Sequence, residues 1–361
     1  MERMRELVAL LSEADKAYYA ENREIMSNAE YDSLYDELKA LERETGIVLA
    51  GSPTARVGYA VSTELPKEAH AVPMLSLDKT KDPAALAAWL GDKTGLLSWK
   101  LDGLTVSLTY EDGALVKAVT RGNGQIGEVI TANAKTFINL PLSIPHKGRV
   151  VLRGEAVISY ADFEKINETI ADVEMKYKNP RNLCSGSVRQ LNSAITAQRR
   201  VRFYAFALQA ADGIDFASRR EQMEWLHSCG IDIVPYKGVT GVDVEEAVKA
   251  FEDDIKDFAL PSDGLVLVYD DIAYGNSLGK TTKFPRDSIA FKWQDEIRET
   301  ILREIEWTHQ PDCALRSCRA RGHDRFAGFA AQCQHRKGSG ARHRRYSDGV
   351  QGEYDYPADR G

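Results

Sequence analysis

The sequence lacks three features that would place a protein in a membrane or outside the cell. It has no run of about 18 apolar residues, the length a membrane-spanning helix needs. Its N-terminus is charged and amphipathic and has no signal-peptide pattern. The five cysteines show no disulfide spacing (Cys184, Cys229, Cys313, Cys318 and Cys333). We therefore expect a cytoplasmic protein with no membrane segment.

An excess of basic residues is also missing. Lysine and arginine number 47 against 54 aspartates and glutamates, which gives a net charge of −7. This balance does not indicate nucleic-acid binding, although a basic groove can lie on an acidic protein. The glycines at 122, 124 and 127 do not have P-loop or Rossmann spacing, which disfavours those nucleotide folds. They suit a tight turn that brings the backbone close to a ligand.

Residues 308–361 have very few aliphatic side chains. Leu315 and Val350 are their only residues of the Ile, Leu, Val or Met type. Such a composition cannot build a hydrophobic core, so we expect a disordered tail. Cys313, Cys318, Cys333 and His335 are poorly spaced for zinc, and no zinc is expected.

The first 45 residues have the periodicity of two helices. Apolar residues such as Leu7 and Leu11 recur at helical spacing, and Ser27-Asn28-Ala29-Glu30 has the form of a capping box that begins a second helix. The two helices can pack as a hairpin. Its polar and aromatic residues are either ordinary interface residues or ligand contacts (Tyr18, Tyr19, Tyr31 and Asp32).

Lys100 precedes a strand, a turn and a second strand. Leu104–Tyr110 alternates apolar and polar residues, Glu111-Asp112-Gly113 turns the chain, and residues 114–120 return it. Lys100 is therefore expected at the mouth of a sheet, where a lowered pKa would make it a nucleophile. Taken alone, Lys-x-Asp-Gly more often marks a surface lysine.

Charged residues interrupt several other predicted strands. Residues 150–158 carry Arg153 and Glu155, residues 261–269 contain Asp263-Gly264, and residues 288–293 contain Lys292. Charged residues inside apolar strands usually face a partner or a ligand. The segment His70–Asp78 is predicted to be buried.

In this order the motifs resemble the nucleotidyltransferase superfamily of DNA ligases, RNA ligases and capping enzymes. Four further segments are similar to the bacterial NAD-dependent DNA ligases (residues 70–78, 120–124, 179–182 with Arg189, and 289–293). The helical hairpin with Tyr31-Asp32 resembles a small domain of that branch, which ATP-dependent ligases lack. The resemblance covers roughly residues 1–307.

The resemblance implies an α+β fold in three parts. Residues 1–66 would be a helical domain that binds nicotinamide mononucleotide (NMN). Residues 67–307 would be an ATP-grasp-like nucleotidyltransferase (adenylation) domain of antiparallel sheets and helices. Residues 308–361 would be disordered or out of frame. Codons can be chosen for residues 349–357 so that the next reading frame resembles the barrel that follows adenylation in this family, which favours a frameshift.

The family's chemistry is implied with the fold. Lys100 would attack the adenylyl phosphorus of NAD, expel NMN, and pass AMP to a 5′-phosphate at a nick in double-stranded DNA during replication and repair. Asp102 and Lys292 would complete the catalytic set, and Glu155 would hold the ribose or Mg²⁺. The implied NAD-binding residues are Tyr18, Tyr19, Tyr31, Asp32, Ser76, Leu77, Arg121, Glu155, Arg181, Arg189, Phe206, Lys283 and Lys292. The expected state is a monomer.

Four positions depart from the family pattern. Ser98 stands where a glutamate is usual, Val268 where a lysine is usual, Asn28 replaces aspartate, and Tyr19 replaces histidine. They mark a divergent branch with compensating contacts, with Trp99 as a candidate, or else a weakened remnant that binds NAD or DNA. The chain is expected to charge itself with AMP and to seal nicks poorly.

Overall fold

The computed structural model describes residues 1–21, 25–55, 64–172 and 176–293, without the side chains of residues 16–21, 28 and 29. The predicted tail over 308–361 lies outside the described residues. Of the helices described, none combines the length and the apolar character needed to cross a bilayer.

The described chain is a mixture of helices and mainly antiparallel strands, which confirms the expected α+β class. The helices are α1 (Glu2–Glu21), α2 (Asn28–Thr45), α3 (Pro83–Leu90), α4 (Thr131–Ala134), α5 (Tyr160–Glu168), α6 (Pro180–Val188), α7 (Ser193–Gln198), α8 (Arg219–Ser228), α9 (Val244–Asp254) and α10 (Ile272–Leu278). The strands are β1 (Val48–Leu49), β2 (Lys67–Ala69), β3 (Asp78–Thr80), β4 (Thr94–Leu101), β5 (Leu104–Glu111), β6 (Ala114–Thr120), β7 (Ile126–Glu128), β8 (Pro141–Ser143), β9 (Val150–Val157), β10 (Arg202–Ala211), β11 (Tyr236–Thr240), β12 (Ser262–Tyr269) and β13 (Ser288–Lys292).

Helices α1 and α2 form the predicted hairpin. Met4, Leu7 and Leu11 of α1 are buried together with Leu38 of α2. The Ser27 hydroxyl accepts a hydrogen bond from the Glu30 N–H and caps the start of α2, as the sequence predicted. The periodic apolar face of each helix therefore makes the core of the hairpin.

The hairpin is fastened to the six-stranded sheet. In that sheet the strand order is β1-β8-β6-β5-β9-β10, so β1, which follows α2, forms its edge. The Ala50 N–H donates to the Leu140 carbonyl at 2.8 Å, and the Arg5 guanidinium of α1 pairs with Asp232. The hairpin and the sheets thus belong to one compact unit, Met1–Gln294.

A five-stranded sheet in the order β11-β4-β12-β13-β3 carries Lys100. Successive side chains of a strand face opposite sides of the sheet. Leu97, Trp99 and Leu101 of β4 therefore enter a core with α3 and α9, whereas Ser98 and Lys100 face the other way.

Asp102 and Gly103 carry the chain from one sheet to the other. Strand β4 ends at Leu101 in the five-stranded sheet, and β5 begins at Leu104 in the six-stranded sheet. A β-carbon on Gly103 would lie 2.0 Å from the Ala156 carbonyl oxygen, so this close crossing requires glycine. Lys100 consequently lies beside the junction of the two sheets.

The prediction that His70–Asp78 is buried is wrong. Met74 is buried at 5% exposure, but Val72 is 53% exposed and Pro73 and Ser76 are also exposed. The segment has no regular structure between β2 and β3 and is held by backbone hydrogen bonds, including Met74 N–H to Gly124 O at 2.8 Å. Its apolar composition suggested a burial that most of the segment does not have.

Candidate active site

Asp263 joins the two lysines of the candidate site. Lys100 Nζ donates to Asp263 Oδ1 at 2.6 Å, and Lys292 Nζ lies 3.1 Å from Asp263 Oδ2. The arrangement follows from strand order, because β12 lies between β4 and β13 and Gly264 is in register with both lysines. Burial alone would raise the pKa of Asp263, but the two ammonium groups outweigh it and lower the pKa. Asp263 is therefore an ionised carboxylate shared by two cations.

Asp102 and Arg181 form a second ion pair next to Lys100. Arg181 lies in the first turn of α6, which the Asn179 side chain caps by accepting from the Asn182 N–H at 2.7 Å. Burial lowers the pKa of Arg181, but the hydrogen bond to Asp102 outweighs burial and raises it. The structure thus brings the predicted residues Asp102 and Arg181 together.

Glu155 faces the same site from the six-stranded sheet. It accepts hydrogen bonds from Thr105 Oγ1 at 2.8 Å and from the Gly103 N–H at 3.2 Å. Burial raises its pKa to about 7, although both hydrogen bonds and the charges of Lys100 and Arg181 oppose the rise. Glu155 is therefore near its midpoint of protonation at neutral pH.

The Arg-Gly-Glu spacing has a packing reason. A β-carbon on Gly154 would lie 2.3 Å from Phe203 Cζ, so β9 and β10 approach closely only with glycine there. Strand alternation then directs Arg153 and Glu155 to the opposite face from the core. Phe206 on β10 is 43% exposed, so its ring is accessible to a ligand.

The glycine turn, residues 121–127, holds Arg121 against the segment that the sequence predicted as buried. Arg121 Nη2 donates to Ser76 Oγ at 3.1 Å. Gly124 has φ +91°, and a β-carbon there would lie 2.7 Å from the Met74 carbonyl oxygen. Ser76 and Arg121, both predicted to bind NAD, are therefore in contact. Leu77 is half-buried next to Ser76.

Other predicted residues contact different partners or lie outside the description. Arg189 pairs with Glu128 at 2.9 Å, and Lys283 is exposed in a turn closed by Thr281 N–H to Phe284 O. Tyr31 stacks on Tyr35 with ring centroids 6.2 Å apart, and Asp32 is exposed. Tyr18 and Tyr19 lie in α1, but their side chains are outside the description, as is that of Asn28.

Trp99 does not supply the compensating contact that we considered. It is 6% exposed and stacks on Phe258, with centroids 4.2 Å apart, in the core on the far side of β4 from Lys100. Ser98 does face the site side, where its hydroxyl donates to the Val266 carbonyl at 3.4 Å. The interpretation of Trp99 was wrong because adjacent residues of a strand cannot both face one ligand.

Sequence reasoning did not assign three residues that the structure places in the site. Asp263 holds Lys100 and Lys292, Thr105 donates to Glu155, and Arg153 lies two residues from Glu155 on the same strand. The Asp-Gly motif was a signal for Asp263. Nothing in the sequence indicated the partner of Thr105, because strand pairing cannot be derived from spacing alone.

The site has few protein ligands for a metal ion when no substrate is bound. Among the described residues, no three His, Cys, Asp or Glu side chains cluster so that they could hold one. Asp102 and Asp263 are already paired with Arg181 and the two lysines, which leaves Glu155 as a single acidic group. The residues present do not form a protein cage for Mg²⁺.

Comparison with known proteins assigns both parts of the described chain to families. Residues 62–296 match the family described as "NAD-dependent DNA ligase adenylation domain". Residues 1–58 match the family described as "DNA ligase-like, N-terminal NAD+-binding domain".

Curated relatives are similar over the same region. The DNA ligase of Lachnoclostridium phytofermentans is 62% identical over 308 residues, which cover 85% of this chain and 47% of the relative. That of Ruminiclostridium cellulolyticum is 61% identical over 306 residues, with 84% and 47% covered. A solved mycobacterial DNA ligase D complexed with ATP and MES is 16% identical, with 61% of this chain and 60% of that chain covered. Its TM-score of 0.35 is too low to carry an argument. The chain spans about half the length of the curated relatives it matches.

Proposed function

The chain belongs to the NAD-dependent DNA ligase family, whose N-terminal NAD+-binding and adenylation domains it carries, and we propose that its Lys100 takes AMP from NAD. The single observation that supports this role is the shared carboxylate of Asp263, which fixes Lys100 Nζ at 2.6 Å and Lys292 Nζ at 3.1 Å. A nucleophile held by rigid strands is prepared for reaction. The match of residues 1–58 disfavours the ATP-using and RNA-capping alternatives.

In the proposed step the Lys100 amine attacks the adenylyl phosphorus of NAD. A nitrogen–phosphorus bond forms, the phosphorus–oxygen bond to NMN breaks, NMN leaves with its own phosphate, and the lysine proton passes to solvent. Only the free amine can attack. Lys292 shares the Asp263 carboxylate with Lys100 and adds a positive charge beside it. Asp263, with its lowered pKa, orients Lys100 and is a poor proton acceptor.

Positioning and neutralisation of phosphate charge do most of the work in phosphoryl transfer. Arg181 pairs with Asp102, two residues after Lys100, and its side chain is about half exposed. Its guanidinium can therefore turn to the diphosphate of NAD. We propose Arg121, Arg189, Lys283 and Lys292 for the same charge, and Glu155 for the ribose. Phe206 would stack on adenine, while Ser76 and Leu77 would line the site. Tyr18, Tyr19, Tyr31 and Asp32 would hold the NMN half.

Several parts of the proposal concern the reaction partners. We propose that Mg²⁺ enters with the substrate phosphates, with Glu155 as its one protein ligand, and that AMP then passes to the 5′-phosphate of nicked double-stranded DNA in replication and repair. The same proposal divides the chain at about residues 66 and 307 and places a monomer in the cytoplasm. The frameshift interpretation of residues 308–361 stays a prediction.

The alternative is a weakened remnant that binds NAD or DNA without chemistry. It rests on Ser98 and Val268, which stand where the family has charged residues. Ser98 is on β4, the strand of Lys100, and Val268 is on the adjacent β12. NAD labelled in its adenylate group separates the two functions. The proposed enzyme incorporates label into protein and releases NMN in equal amount. A remnant binds NAD but shows neither product.

A further inference from the structure

An irregular segment, His70–Leu77, runs from β2 to β3 and so links two sheets. It begins after β2, which pairs with β7 beside the six-stranded sheet, and it ends at β3, the edge of the five-stranded sheet. We call it the crossing segment. Met74 is its one buried side chain, and the remaining residues are half-buried or exposed. Side-chain burial therefore does little to fix its path.

Polar contacts from the glycine turn fix the two ends of the crossing segment. The His70 N–H donates to Gln125 O and the Met74 N–H donates to Gly124 O, both at 2.8 Å. Near the other end, Arg121 Nη2 donates to Ser76 Oγ. Between these anchors, the carbonyl of Val72 accepts a hydrogen bond from Nη2 of Arg153, which comes from β9 in the six-stranded sheet.

Arg153 differs from Arg181 and Arg189, two other arginines around the site. Arg181 and Arg189 each pair with a carboxylate, of Asp102 and Glu128. Burial lowers the pKa of Arg153, and within the described part of the chain no acidic group offsets that effect. Its Nε is buried and has no hydrogen-bond partner among the described residues. Partial burial of a guanidinium that no carboxylate neutralises destabilises the fold. The contact of Arg153 with Val72 therefore suggests a functional role.

We propose that Arg153 is a positioning residue that holds the crossing segment, and through it Ser76 and Leu77, in the conformation that binds NAD. The inference rests on the proposed function for the identity of the ligand. Arg153 contacts a backbone carbonyl, so it acts through the segment and does not touch the reacting phosphorus. Its loss should weaken NAD binding and leave the transfer of AMP to Lys100 intact once NAD is bound.

The test compares Arg153→Met, which keeps the apolar stem and removes the donors, with Arg153→Lys, which keeps one charged donor. Arg153→Met loses a hydrogen bond from a charged donor, so we expect its KM for NAD to rise by about tenfold or more. The maximal rate of adduct formation should stay within about twofold, since the reacting groups are unchanged. Arg153→Lys should restore part of the affinity. Arg219→Met, which removes an arginine paired with Asp287, is the matched control and should leave KM unchanged.

A second measurement does not depend on catalysis. Amide hydrogen exchange of residues 70–77 should accelerate in Arg153→Met and less in Arg153→Lys, while exchange in β5 and β9 stays at the wild-type rate. A fall in maximal rate at unchanged KM, or unchanged exchange in the crossing segment, overturns the inference. If the wild-type chain forms no adduct, the proposed function has failed, and amide exchange alone decides whether Arg153 holds the segment.

Discussion

At Asp263, one carboxylate orients the nucleophile and its neighbouring cation. Asp263→Asn removes the charge but keeps the shape, so Lys100 and Lys292 would repel each other without a common partner. We expect the initial rate of AMP incorporation to fall by about 100-fold, the loss that misplacement of a reacting group produces. Asp92→Asn, which alters an exposed pair with Lys93, is the control. A rate for Asp263→Asn within a few-fold of wild type would show that Lys100 is oriented by other groups.

Glu155 should make stability depend on pH. Its pKa is raised to about 7 in the folded chain, so the folded state holds a proton that the unfolded state has already released. The contribution is therefore fully present below the unfolded pKa and is lost as pH rises through about 7. Without Mg²⁺, the free energy of unfolding of the wild type should fall between acidic pH and pH 8. In Glu155→Gln this fall should be smaller by on the order of 1–3 kcal/mol. Urea unfolding at several pH values measures this, and parallel pH profiles would contradict it.

Residue-level prediction was weakest where the pairing of strands decides the contacts. The hairpin after Lys100 was predicted because its alternation is clear, but Lys100 itself lies within β4 of the other sheet. Trp99 was considered as a compensating contact, although alternation along β4 puts it opposite Lys100. The carboxylate of Asp263 lies 163 positions from Lys100, and its two contacts depend on the strand order β4-β12-β13. Sequence spacing contains no information on that order.

At the scale of elements, the helical hairpin is the part that should confer use of NAD. It is fastened by β1 on β8 and by Arg5 on Asp232. A shortened chain that begins at Glu64 should form no AMP adduct from NAD, because the residues proposed to hold the NMN half are absent. Circular dichroism must first show that the shortened chain is folded. Adduct formation at an unchanged rate would mean that the hairpin has another role.

Local elements were predicted best where turn and capping chemistry is strong. The β5–β6 hairpin and the Ser27 cap appear in the structure where the sequence indicated them. Strand β4 was missed because its apolar residues run together, with Leu96 and Leu97 adjacent, and show no clear alternation. The crossing segment was misjudged because its apolar residues other than Met74 stay half-buried or exposed, although their composition favours burial.

For the molecule as a whole, we expect the reaction with NAD to need residues 1–307 alone. A chain that ends after Trp307 should react with NAD at the rate of the full chain, since every residue assigned to the step precedes that point. Adduct formation by both chains, measured side by side at equal concentration, checks this. A large loss in the shortened chain would assign residues 308–361 a role in the reaction.

The mass of the purified protein after incubation with NAD and Mg²⁺ shows whether Lys100 is the nucleophile. We predict a gain of one adenylyl group in the wild-type chain and none in Lys100→Ala. Lys100→Arg should also gain nothing, because a guanidinium stays protonated and cannot attack phosphorus. The gain should reverse when NMN is added. An adenylyl group on the Lys100→Ala chain would contradict the assignment of Lys100 as the nucleophile.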